Sequence, residues 1–167
     1  MNGHIIAVVA WIHLISVVSW LGLIISSALV FLPAMGKLDL AGMRAVFPAF
    51  HKRMRVLSIT AVIILLAAGI ILTVTNSSDT GSMHLFANPW MRLIVSKHVL
   101  VGAMLLLQAW SLFILQPRLI KLIQSPPSEG ADISIKRLMR LNSLSAILSS
   151  ILGCGVLLLI AIVLQFY

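Results

Sequence analysis

Residues 5–32 contain no Asp, Glu, Lys or Arg, and a helix needs only about 20 such residues to cross a bilayer. Three more apolar runs follow at 56–74, 90–115 and 144–166. A soluble domain of 167 residues could not hide a composition that is 60% hydrophobic and 10% charged, because small domains leave much of their surface exposed. The expected fold class is all-α: one integral membrane domain over residues 1–167, a polytopic bundle of four transmembrane helices. In this reading Pro33 ends the first helix and Pro117 the third, because the proline ring removes a backbone donor. The N-terminus lacks the basic segment of a signal peptide, and its apolar run is about twice the length of a signal-peptide core. The first run is therefore expected to be a retained helix.

Charge gives an orientation. The net charge is +8, but the cations sit between apolar runs and not along a soluble face, which argues against a nucleic-acid partner. Lys37, Arg44, Lys52, Arg53 and Arg55 fall between runs one and two; Arg118, Lys121, Lys136, Arg137 and Arg140 fall between runs three and four. The excess of Lys and Arg on cytoplasmic connections predicts a multi-pass protein of the inner or plasma membrane. Both basic segments would be cytoplasmic, and both termini and the 76–89 connection outside.

The two halves repeat weakly at an offset of 84 residues: Pro33 with Pro117, Arg53 with Arg137, Gly69 with Gly153. Each half then reads as a helical hairpin, related to the other by an axis along the membrane normal. In the fourth run, Ser145, Ser149 and Gly153 recur every four residues, a spacing that lets helices approach closely in lipid. Cys154 is the only cysteine, which excludes disulfides and thiolate-rich metal sites; it reads as packing.

Ionisable groups inside lipid are costly and mark ligands, proton paths or buried partners. His13 lies eight residues into the first run, and His98 eight residues into the third. At 1.5 Å per residue each imidazole sits roughly 12 Å below the outer boundary. Two imidazoles at one depth suit the axial ligation of a heme iron, with Ala10 and Gly102 leaving room for a flat ring. The bland alternative is that each histidine bonds a carbonyl or serine across helices. Lys97, beside His98, points about 100° away from it, and either snorkels or pairs with a propionate, as Arg92 could. His4, Met83, His84 and Met91 offer a second, soft set of nitrogen and thioether donors for copper. His51, among Lys52, Arg53 and Arg55, reads as part of a solvated basic face. The four acidic residues, Asp39, Asp79, Glu129 and Asp132, all fall between runs, so neither paired carboxylates nor a hydrolase site can be assembled in the membrane.

The pattern His13-Leu14, Val18-Ser19-Trp20-Leu21-Gly22, Pro33, Arg53, Gly69, Trp90, Lys97 and Arg118 resembles the copper resistance protein D (CopD)-like membrane family. A related branch, the HemJ-type protoporphyrinogen oxidases, has a similar intramembrane histidine, a His-to-Trp spacing of this kind and a lysine in the third helix. The resemblance implies a helical membrane unit that binds heme b or copper, with His13 as the first-helix histidine and Lys97 as the third-helix lysine. The chain departs from the HemJ pattern at Pro33-Ala34-Met35, where a basic residue is expected, and it lacks the aromatic-His pair that follows.

Three function classes are left standing. The leading expectation is a b-type heme protein passing electrons near the outer face, with His13 and His98 as axial ligands and quinone or another redox subunit as partner. HemJ-like oxidation of protoporphyrinogen is the enzymatic form of that site. The second class is copper import through the outer set His4, Met83, His84 and Met91. It ranks lower because few polar or thioether groups follow below Met104 and Gln108. The third is a structural anchor subunit in which His13 only bonds across helices.

Overall fold

The computed structural model describes residues 3–77, 89–126 and 130–165. Helix α1 (Gly3–Ser26) passes into a π-helical turn, π1 (Ser27–Phe31), and a short α2 (Leu32–Met35). A tight connection leads to α3 (Leu40–Ser77). The second half repeats this order as α4 (Pro89–Trp110), π2 (Ser111–Leu115), α5 (Gln116–Gln124) and α6 (Ala131–Gln165). Among the described residues, four helical stretches are long and apolar enough to cross a membrane: Gly3–Met35, Leu40–Thr75, Val95–Gln124 and Ala131–Ile162. A chain so composed meets lipid as its solvent, where every backbone donor and acceptor must be satisfied internally and the helix is the economical solution.

The two prolines do not end their helices. Each follows a π turn directly, and the amide just before the ring reaches five residues back: Leu32 N–H to Ser27 O, Gln116 N–H to Ser111 O. Proline cannot donate to the carbonyl four residues behind it and its ring crowds that carbonyl. Widening the preceding turn relieves the clash while the helix runs on. Both π turns fall at the same offset as Pro33 and Pro117, so the internal repeat extends to backbone geometry. The helices stop later, at Met35 and Gln124.

The second and fourth helices start far earlier than their apolar runs, at Leu40 and Ala131 and not near 56 and 144. Most of each basic segment is therefore helix, and the connections shrink to 36–39 and 125–130. Only one face of such an extension needs to be apolar. Phe47 and His51 are buried while Lys52, Arg53 and Arg55 are exposed, and Ile135 is buried while Lys136, Arg137 and Arg140 are exposed. Asp39 caps α3 by accepting from Gly42 N–H at 2.8 Å, the expected role of Asp before a first turn. Arg44 ties the two halves together by donating to Ile123 O at 2.6 Å and Ser125 O at 2.7 Å, carbonyls at the α5 end that have no partner within their own helix.

Helix α1 packs on α3 and α6, α4 packs on α6, and α5 packs on α3. That arrangement puts α1 and the α4–α5 limb at opposite corners of the bundle. The interior has three layers. One apolar core, toward the end of the bundle at which α1 starts, holds Trp20, Leu21, Ile24, Leu65, Met104 and Val156. A second, toward the end at which α3 starts, holds Met35, Phe47, Leu119, Ile123 and Ile135. Between them lies a polar layer carrying His51, Ser58, Ser111, Gln116 and Asn142.

Small residues permit the close packing. Ser145 and Ser149 are buried, as is Gly153, where an added Cβ would lie 2.3 Å from Leu21 Cδ1 and 3.2 Å from Met104 Cε. Gly102, in contrast, has no atom within 4 Å of where a Cβ would sit. We expect Gly153→Ala to destabilise the detergent-solubilised protein by up to about 1–2 kcal/mol, because Leu21 and Met104 must shift and the gain in helix propensity offsets part of the cost. Gly102→Ala should be neutral or slightly stabilising through helix propensity. Thermal unfolding of both variants, followed by circular dichroism, checks the contrast.

Candidate metal centre

His13 sits in the N-terminal half of α1 with its ring turned toward α3. Its Nδ1 lies 3.2 Å from Leu65 O. A carbonyl can only accept, so Nδ1 carries the proton and Nε2 is left as the basic nitrogen. Gly69 gives the ring space: a Cβ there would stand 3.3 Å from His13 Cε1 and 3.6 Å from Nδ1, a tight contact that would shift the ring by a few tenths of an ångström. Metal-binding histidines use this arrangement, one nitrogen donating to a carbonyl while the other faces the metal. It also satisfies the bland reading of His13, so the bond alone does not choose between them.

Lys97 and His98 both lie within electrostatic range of His13, which brings all three residues singled out in the sequence to one end of the bundle. Lys97 is half-buried and His98 exposed. The interior next to His13 is filled by the apolar core around Trp20, Leu21 and Met104. Of the soft donor set, His4 is exposed on the first turn of α1. Met83, His84 and the side chain of Met91 lie outside the described residues. Among the described residues no three His, Cys, Asp or Glu side chains cluster.

His51 overturns its expectation. It is 8% exposed, inside the bundle and not on a solvated face, because α3 is already helical from Leu40, through Pro48, and turns one stripe of the basic segment into the interior. Its Nδ1 donates to Gln116 Oε1; Gln116 Nε2 donates to Ser111 Oγ at 3.1 Å, and Ser111 Oγ donates to Asn142 Oδ1 at 2.6 Å. The chain of bonds links α3, α5, π2 and α6 across the bundle. It borders a cavity of about 30 Å3 that is also lined by Ser27, Met54, Ser58 and Gln108, room enough for a water molecule.

A usable signal for this layer was present in the sequence. Phe47, His51, Met54, Ser58, Ala61, Leu65 and Ala68 recur at alternating steps of four and three, the stripe of a helix face. Reading the basic segment as a loop hid it.

Residues 48–164 match the family model described as Copper resistance protein D, which is well over half of the chain. The chain belongs to that family. The match begins inside α3, so α1 and His13 precede it, while Lys97, His98 and most of the polar layer fall within it. No curated protein and no solved structure matches the chain.

Removing the Ser111 hydroxyl strands two buried partners, so Ser111→Ala should cost about 1–3 kcal/mol. A double-mutant cycle with Asn142→Leu should give a coupling of about 0.6–1.7 kcal/mol, the range for hydrogen bonds between membrane helices. Reversible unfolding in mixed micelles measures both.

Proposed function

We propose that this protein handles copper in the membrane, binding the ion between His13 and His98 at the outer end of the bundle and passing it inward. The observation that carries the reading is His13: its Nδ1 is committed to Leu65 O, its Nε2 is basic, and Lys97 and His98 stand in electrostatic range. Family membership supports copper as the cargo. Imidazole is a good copper donor, and Cu(I) tolerates low coordination and accepts thioethers.

The orientation expected from the positive-inside rule fits this direction of travel. Ten of the twelve Lys and Arg residues, all but Arg92 and Lys97, lie at the end of the bundle opposite His13. That end would be cytoplasmic and both termini outside. The expectation that few polar or thioether groups follow below Met104 and Gln108 did not count His51 and Met54; both border the polar cavity, which supports a path beyond that level.

A b-type heme held by the same histidines is the second reading, supported by their placement on helices at opposite corners of the bundle. In that case the protein would join membrane electron transfer with quinone or a redox subunit as partner, and Lys97 would pair with a propionate.

The purified protein separates the readings. Under the copper reading it binds Cu(I) supplied with a competing chelator, His13→Ala weakens that binding by at least tenfold, and the reduced protein shows no visible bands. Sharp reduced α and β bands that vanish in His13→Ala would replace copper with heme. Intact folding with neither heme nor copper binding would leave His13 a structural residue.

A further inference from the structure

We infer that the polar layer holds a second copper site, with His51 Nε2 and Met54 Sδ as its donors. The inference rests on the copper reading and extends it to the inner half of the bundle. His51 and Met54 lie three residues apart on α3, one turn along the same face, and both border the polar cavity. Gln116 accepts from His51 Nδ1, as Leu65 does from His13, so Nε2 is again the basic nitrogen. An imidazole nitrogen beside a thioether is a donor pair suited to Cu(I) and poorly suited to hard cations, which prefer carboxylate and carbonyl oxygen.

The surroundings fit a soft monovalent ion. Ser58 and Ser111 are buried hydroxyls that also border the cavity, and Ser111 Oγ is held by its bonds to Gln116 and Asn142, so the imidazole and thioether are the soft donors there. Among the described residues no Asp or Glu lines the cavity, so a divalent cation would lack neutralising charge there. Arg55 does not line it, although its charge reaches His51; its Cζ lies 5.0 Å from the centroid of the Phe113 ring. The site also stands in line with the outer one. Ser27, on its wall, is fourteen residues along the first span from His13, about 21 Å at 1.5 Å per residue. Met104, 2% exposed, supplies a thioether in the core between the two levels.

The test uses full-length protein in which His13→Ala has removed the outer site. This variant is loaded with Cu(I) buffered by bicinchoninate, and stoichiometry and copper-edge X-ray absorption are measured. His13→Ala should retain one Cu(I) with a sulfur scatterer. His13→Ala/Met54→Leu, which keeps volume and shape, should lose at least tenfold in affinity together with the sulfur signal. Unchanged circular dichroism establishes that it folds. If Met54→Leu leaves affinity and sulfur scattering unchanged, or if His13→Ala alone abolishes all Cu(I) binding, the inner site is wrong while the outer one stands. If His13→Ala binds as wild type does and Met54→Leu removes the ion, the outer site is wrong and the inner one stands.

Discussion

In hydrocarbon an unpaired backbone amide has no water to turn to, and that constraint shapes this structure from the prolines outward. Pro33 and Pro117 each deprive a helix of a donor in the C-terminal half of a membrane-spanning segment. In water such a helix could stop and let solvent satisfy its ends. Here both helices open one turn to π geometry, make the bond five residues back and run on to Met35 and Gln124. The extra residue in the turn shifts the facing of everything that follows.

The consequence is the polar layer. Ser27 and Ser111 open the two π turns, and both border the cavity; Gln116, directly after π2, reaches His51 and Ser111. Apolar cores above and below exclude competing partners, so the four side chains of the network satisfy one another. Such a network also fixes the register of the helices, since a slide along any axis would break several bonds together. π turns recur at functional sites because they place side chains off the regular helical face, and these two place polar groups where the bundle would otherwise be apolar.

The repeat gives the two halves a common frame and lets them diverge in chemistry. His13 on α1 corresponds by the offset to Lys97 on α4, and Gly69 to Gly153. Gly69 makes room for an imidazole, while Gly153 makes room for Leu21 and Met104. The same absent side chain therefore serves a candidate ligand in one hairpin and helix packing in the other. Copper chemistry, on this reading, uses the asymmetry: a histidine level at one end, a thioether in the core, and a histidine–methionine pair in the polar layer.

The sequence by itself determined the class of solvent, the four spans and the hairpin repeat. Those follow from lengths of apolar chain and from where the charges fall, and need no knowledge of which helix meets which. It also marked His13, because an ionisable group in lipid stands out in one dimension. It misplaced the ends of the helices, since mean hydropathy treats an amphipathic extension as a loop, and it read two prolines as stops where lipid requires continuity. It put His51 on a solvated face, since three charged neighbours outweigh one buried stripe when the segment is not recognised as helix. Only the packing of α3 against α5, and of α6 against both halves, decided that His51, Met54, Ser111, Gln116 and Asn142 share one interior layer. Hydrogen bonding across helices depends on distance in space, and residues 65 positions apart in the chain, such as His51 and Gln116, leave no trace of that distance in sequence.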